Sequence, residues 1–191
     1  MSTLKITETI HKRRATPPRL FSKTAIDKSV IEQLLENAHW APNHKKTEPW
    51  RFQVYTGEAK EQLAKGCGEI LTRAQAGGFD VTTEKIEKFV STVQKVPVAI
   101  AIILQRDPAQ RLPEWEEIAA VSMAVQNMWL TATEMDLAAF WATPDFMALF
   151  NDVLEIKEGQ KVLGFFYVGE VMIDYPSPGR GDLDQKITWK S

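Results

Sequence analysis

A single cysteine, Cys67, occurs in 191 residues, which excludes an internal disulfide framework, a thiolate metal cluster and a Cys-x-x-Cys redox pair. A reducing cytosol suits such a chain, so a cytoplasmic location is expected. Long apolar runs are equally scarce. The longest, Val98 to Leu104, is far short of the roughly 20 residues needed to span a bilayer, and Met1-Ser2-Thr3-Leu4-Lys5 lacks the apolar centre of a signal peptide. Charge of one sign is missing too. A net charge of −2 and an isoelectric point near 6.0 give no cationic footprint for nucleic acid, beyond local basic spots at Arg13-Arg14 and Lys45-Lys46. No Gly-x-Gly-x-x-Gly turn follows a strand, because Gly66-Cys67-Gly68 sits inside a helical pattern, and there is no P-loop. His11, His39 and His44 lack the His-Glu-x-x-His spacing, so no metal centre is expected. A Cys67–His44 nucleophilic pair competes with inert packing of the thiol, and packing is the expectation.

What is present is an ordinary globular composition, 44% hydrophobic and 25% charged, with no repeat and no linker, which predicts one domain over 1–191 with 174–191 as a carboxy-terminal arm. Periodicity predicts helices near 6–12, 28–41, 58–75, 83–95, 114–137 and 145–154, and strands near 50–55, 98–105, 139–142 and 162–171. Many helices with few strands make the class α+β. The stretch from Ile118 to Thr133 carries no charged side chain. Such a helix is expected at the centre of the fold, covered either by its own chain or by a second subunit. Pro176, Pro178, Gly179 and Gly181 keep the tail from being a regular helix, although Lys186 to Trp189 has strand character and could dock on this subunit or a partner.

Three segments have the chemistry of a binding site. Trp40 to Trp50 is a polar, proline-bracketed loop between a helix whose apolar face is Val30, Ile31, Leu34, Leu35 and Ala38 and a strand that alternates Trp50, Phe52 and Val54 with polar residues. Pro42 stops the helix, and Asn43 and His44 then sit on an anchored connection, the usual place for binding groups. A solvated surface loop is the alternative. Near the amino terminus, Arg13 and Arg14 end a short helix before Pro17-Pro18, and adjacent guanidinium forks suit phosphate oxygens. After the charge-poor helix, Trp141-Ala142-Thr143-Pro144 joins an aromatic, a hydroxyl and a backbone edge to a predicted helix start at Asp145, where free N–H groups attract electron-rich atoms.

In this order and spacing, these segments resemble the flavin-dependent nitroreductase family, its small single-domain members in particular. The resemblance runs from about Ile10 to Arg180 and rests on Arg13-Arg14-Ala15-Thr16, on Ala41-Pro42-Asn43-His44 with Glu48-Pro49-Trp50-Arg51-Phe52, on Trp141-Ala142-Thr143, on Val162-Leu163-Gly164-Phe165 with Tyr167-Val168-Gly169, and on Arg180. It implies a three-layer α+β fold, with a central, mostly antiparallel sheet flanked by helices, in an intertwined homodimer binding one FMN at each of two subunit interfaces. Arg13, Arg14 and Arg180 are then expected to hold the phosphate and ribityl chain, with backbone contact from Ala15. Pro42, Asn43 and His44, bordered by Trp40, are expected to approach from the partner, while Trp141, Ala142 and Thr143 line the flavin. Ala15 stands where the family commonly has serine, and Pro144 follows where it often has Thr-Gly.

The implied activity is a ping-pong reduction in which NADH or NADPH supplies hydride through FMN to a small electron-poor substrate, such as a nitroaromatic, quinone or activated alkene. No separate catalytic acid and no metal are implied. Other readings are a specialised reductive reaction such as dehalogenation under a lid, for which only Gly77-Gly78-Phe79-Asp80 offers an insertion, a flavin-binding or regulatory protein without turnover, or a dimerisation module.

Overall fold

A computed structural model of the chain describes residues 5–172, 176 and 179–190. Its strands are β1 (Trp50–Tyr55), β2 (Val98–Gln105), β3 (Leu137–Ala142) and β4 (Gln160–Glu170), and they form one antiparallel sheet in the order β1-β2-β4-β3. β2 reads Val-Ala-Ile-Ala-Ile-Ile-Leu-Gln and is buried on both faces. A strand apolar on both sides must be central and covered twice.

The helices provide that cover. On one face, α2 (Lys28–His39) and α5 (Glu114–Glu134) pack on Val98, Ile100, Ile102 and Leu104 of β2 and on Phe166 and Val168 of β4. On the other, α3 (Gly57–Ala76) and α4 (Thr83–Lys95) cover Ala99, Ala101, Ile103, Phe165 and Tyr167. The period of two along the strands assigns alternate residues to the two cores. The result is the expected three-layer α+β arrangement, and α1 (Lys5–Lys12) lies outside it, against the end of α5. Among the described residues no helix is long and apolar enough to cross a membrane.

Two expectations need correction. Residues 145–154 do not form an α-helix; the chain makes a short 3₁₀ turn at Met147–Phe150 followed by turns. The helical spacing of Phe146, Met147, Phe150 and Leu154 is real, and all four are buried. Their packing is set by an aromatic cluster in which Phe89 lies 5.6 Å from Phe146, 5.1 Å from Phe150 and 5.9 Å from Phe165. Backbone bonds there run mostly to the third preceding residue, as from Met147 to Pro144 and Leu149 to Phe146, and Asn151, Asp152 and Val153 are weak helix formers that do not extend the turn. The tail from 186 to 189 is not a strand and does not dock on its own subunit, since Trp189 is 89% exposed. α5 is central, as expected, and its own chain leaves part of it open: Trp115 is 67% and Met123 39% exposed.

Cys67 is the packed thiol anticipated. It is fully buried under α3, and burial pushes its pKa up to about 12. Alkylation at pH 8 is expected to proceed only as the protein unfolds, so a rate in native buffer matching that of a free thiol would contradict its packing. Surface charge contributes in a pH-dependent way. Hydrogen bonds from Arg111, Lys161 and Lys5 hold the carboxyls of Asp107, Glu114 and Glu134, respectively, below their ordinary values. A carboxylate pKa depressed by folding stabilises the protein above the unfolded value and ceases to do so as pH falls through the folded one. The urea midpoint is therefore expected to decrease on acidification below about pH 4, with less of a decrease in high salt, where exposed pairs are screened.

Candidate functional site

The arginines form a corner at the carboxy-terminal end of α1. Arg14 turns back on the helix, its Nη1 donating to the carbonyls of His11 and Lys12 at 2.6 Å each, which satisfies acceptors every helix end leaves open. Its own carbonyl accepts from Trp129 Nε1 at 2.8 Å, while Arg13 lies over the Trp129 ring, 4.7 Å from the centroid. This fixes the corner to α5. Burial lowers the pKa of the Arg13 guanidinium, and the charges of Arg180 and Arg14 lower it further. Among the described residues no carboxylate forms an ion pair with any of the three arginines, and Arg14 Nε is buried without a hydrogen-bond partner. Three converging cations with an orphaned N–H make a receptor for an anion.

From that corner the chain runs beside β3. The Thr16 amide donates to the Ala139 carbonyl at 3.1 Å, and exposed Ala15 sits between this bond and the arginines. Pro17 and Pro18 then meet a groove of about 740 Å³ whose other walls are α4 and the segment Trp141 to Phe146. Trp141, Ala142 and Thr143 lie on the wall of this groove. The Trp141 indole is fixed by its Nε1 donating to the Leu163 carbonyl at 3.2 Å, and it lies over Gly164. A Cβ at Gly164 would stand 2.3 Å from the Ala142 carbonyl oxygen and 2.7 Å from Trp141 Nε1, at a φ of +134°. Gly164→Ala is expected to cost about 2 kcal/mol and to displace the end of β3, read as a lower urea midpoint.

The structure also supplies groups that sequence reading missed. Lys85, Lys88 and Thr92 of α4 line the groove, as do Phe140 and Tyr167. Lys85 Nζ is 3.7 Å from Asp145, whereas Lys88 Nζ has no partner among the described residues. Tyr167 is buried, its hydroxyl has no hydrogen-bond partner among the described residues, and burial raises its pKa. On the sequence, Lys85 and Lys88 look like any polar helix face and Tyr167 like a core residue. The predicted helix start at Asp145, with its free N–H groups, is absent, for the packing reason given above.

The loop after α2 is anchored rather than loosely solvated. Its base is closed by Trp50 Nε1 donating to His39 Nδ1 at 3.3 Å. Asn43 Oδ1 accepts from the Glu48 amide at 3.1 Å, His44 Nδ1 lies 2.8 Å from Glu116 Oε2, and Lys45 Nζ donates to the Arg111 carbonyl at 3.1 Å. These bonds hold Lys45, Lys46 and Glu48 at φ of 54°, 52° and 43°, left-handed values that non-glycine residues adopt only when their surroundings over-determine them. Trp40 is 77% exposed and Pro42 is exposed. Glu116, which holds the loop, and Trp129, which holds the arginine corner, are thirteen residues apart on α5, or about 20 Å at the helical rise. Within one subunit, therefore, the Arg13-Arg14 corner and the Asn43-His44 loop are tethered to α5 about 20 Å apart along its axis, and Trp141 to Thr143 lie on the groove wall.

Comparison with known proteins gives a consistent picture. The family described as nitroreductase matches residues 10–170. A relative in Bacillus subtilis (strain 168), named as a candidate NAD(P)H nitroreductase, is 32% identical over 133 residues, 69% of this chain and 66% of the relative, just under two thirds of its length. Among solved structures, a nitroreductase-like family protein from Bacillus cereus superposes with a TM-score of 0.83 at 25% identity, covering 100% of this chain and 98% of that one. A candidate nitroreductase from Desulfovibrio desulfuricans, crystallised with FMN, superposes with a TM-score of 0.76 at 19% identity over 100% and 99% of the two chains.

Proposed function

This chain belongs to the nitroreductase family, and from that premise we propose that it is an FMN-dependent NAD(P)H oxidoreductase whose two cofactor sites lie at the seams of a homodimer. The observation that carries the proposal is the division of the site along α5. The arginine corner is tethered toward one end of this helix by Trp129, and a rigid polar loop is held at the other by Glu116, about 20 Å along the helix axis. A two-fold axis through the exposed side of α5, where Trp115 and Met123 stand free, would bring the loop of each subunit to the groove of the other.

The residues fit the cofactor. The buried, unpartnered Arg14 Nε and the unneutralised guanidiniums of Arg13 and Arg180 suit a phosphate. Ala15 offers its backbone, and the end of β3 at Trp141, Ala142 and Thr143 offers an edge that can orient a planar ring. Lys88, without a partner among the described residues, adds a cation beside that edge. Pro42, Asn43 and His44 of the partner subunit, with Trp40 beside them, would cover the remaining side and exclude water. When bound, FMN supplies two-electron hydride chemistry. The protein's part would be to hold the phosphate with the three arginines, to orient the ring along Trp141 to Thr143, and to place the charge of Lys88 beside it.

Electron-poor small molecules, namely nitroaromatics, quinones and activated alkenes, are the expected substrates. The short, internally bonded turn at Gly77 to Asp80 supplies no lid for a specialised dehalogenation. The test is an anaerobic titration of the purified protein. It is expected to be a yellow dimer whose colour is bleached by NADH or NADPH and restored by a nitroaromatic. Bleaching without restoration would leave a flavin-binding protein, and a colourless protein that does not take up FMN would refute the proposal.

A further inference from the structure

A second cavity, of about 450 Å³, lies on the opposite side of α4 from the groove, between the start of α3, the end of α4 and the segment at Lys23 to Ala25. Its charge is one-sided, with Lys23, Lys60 and Lys95 facing it against the single carboxylate of Glu61. Lys60 is the unusual member. Its side chain is only 9% exposed, and a buried ammonium needs acceptors for its three N–H groups. Two are accounted for, by the Gln94 carbonyl at 2.5 Å and Glu61 Oε1 at 3.1 Å. Lys23 and Lys95 are exposed and, among the described residues, their ammonium groups have no partner. The first turn of α3, twenty residues long, also lines the cavity, and the Thr56 side chain does not cap it. An uncapped helix start favours the same sign of ligand as the lysines do. Ala25, Val96 and Pro97 leave apolar wall beyond the charged end.

From this convergence we infer that the cavity is a binding site for a small organic phosphate. The phosphate takes the third N–H of Lys60 and the ammonium groups of Lys23 and Lys95, and the organic part rests on Ala25, Val96 and Pro97. Nothing here uses Arg13, Arg14 or Arg180, so the site stands independently of the flavin proposal.

The test titrates the purified protein with inorganic phosphate and, separately, with glycerol 3-phosphate, following melting temperature and heat of binding. Both probes are expected to bind saturably, the ester more tightly. With the FMN-loaded protein, whose arginine corner is occupied, Lys95→Glu is expected to weaken both by about tenfold or more, through loss of a charge-assisted bond and addition of a like charge. Lys60→Met should abolish binding; because removing a buried charge can impair folding, Lys23→Glu, at an exposed position, provides the same test without that risk. Absence of saturable binding overturns the inference. Binding that survives Lys95→Glu and Lys23→Glu also overturns it, by locating the phosphate elsewhere. Equal affinity for the two probes refutes the organic part of the assignment.

Discussion

Replacing both Arg13 and Arg14 by alanine is expected to weaken FMN binding by about a thousandfold, since each charge-assisted contact to a phosphate contributes about 2 kcal/mol and 1.4 kcal/mol is a factor of ten. The two arginines act differently. Arg13 is held over Trp129 and is destabilised by Arg14 and Arg180, so it gains most from an arriving anion. Arg14 has committed Nη1 to the end of α1 and leaves Nε without a partner. Arg14→Ala alone should therefore lose both affinity and about 1 kcal/mol of stability through the missing cap, while Arg13→Ala should lose affinity with little change in melting temperature. Fluorescence titration of FMN into the apoprotein reads the affinity. An unchanged dissociation constant in the double variant would remove the arginines from the phosphate role.

Glu117→Ala is expected to be the most destabilising single substitution outside the aromatic core, by about 3 to 5 kcal/mol. The Glu117 side chain is fully buried; one oxygen pairs with Arg106 Nε and the other accepts from the Asp107 amide at 2.8 Å. Removing it leaves a partly buried guanidinium and an amide without an acceptor. The consequence reaches the candidate site, because Glu117 follows Glu116, which holds His44, and the segment beginning at Asp107, whose amide Glu117 accepts, carries Arg111, whose carbonyl holds Lys45. Without this network the left-handed residues Lys45, Lys46 and Glu48 lose part of what over-determines them. Urea denaturation checks the stability loss. Glu117→Gln, which keeps the shape and one acceptor, should recover part of it, and equal effects of the two substitutions would contradict a role for the charge.

Much of the architecture was legible in the chain because it rests on local periodicity. β1, β2 and α4 begin and end where alternation or helical spacing predicts, and Val98 to Leu104, apolar on both faces, had to be the sheet's central strand. Residues 145–154 were misjudged for the complementary reason. Their apolar spacing is helical, but contacts with Phe89 and Phe165, both distant in sequence, determine the local geometry. Lys88 and Tyr167 were missed because nothing local distinguishes a groove-lining lysine from a solvated one, or an orphaned hydroxyl from a satisfied one.

By itself, then, the sequence determined the α+β class, the family, and the three segments proposed to carry site chemistry, since each is a contiguous run whose residue types and order are the signal. Tertiary structure alone decided which of these segments meet. α5 holds the Arg13-Arg14 corner by Trp129 and the Asn43-His44 loop by Glu116, and its rigid rise keeps them about 20 Å apart in one subunit. That separation is a property of packing, invisible in spacing along the chain, and it is why we propose that a second copy of the chain supplies the remaining wall.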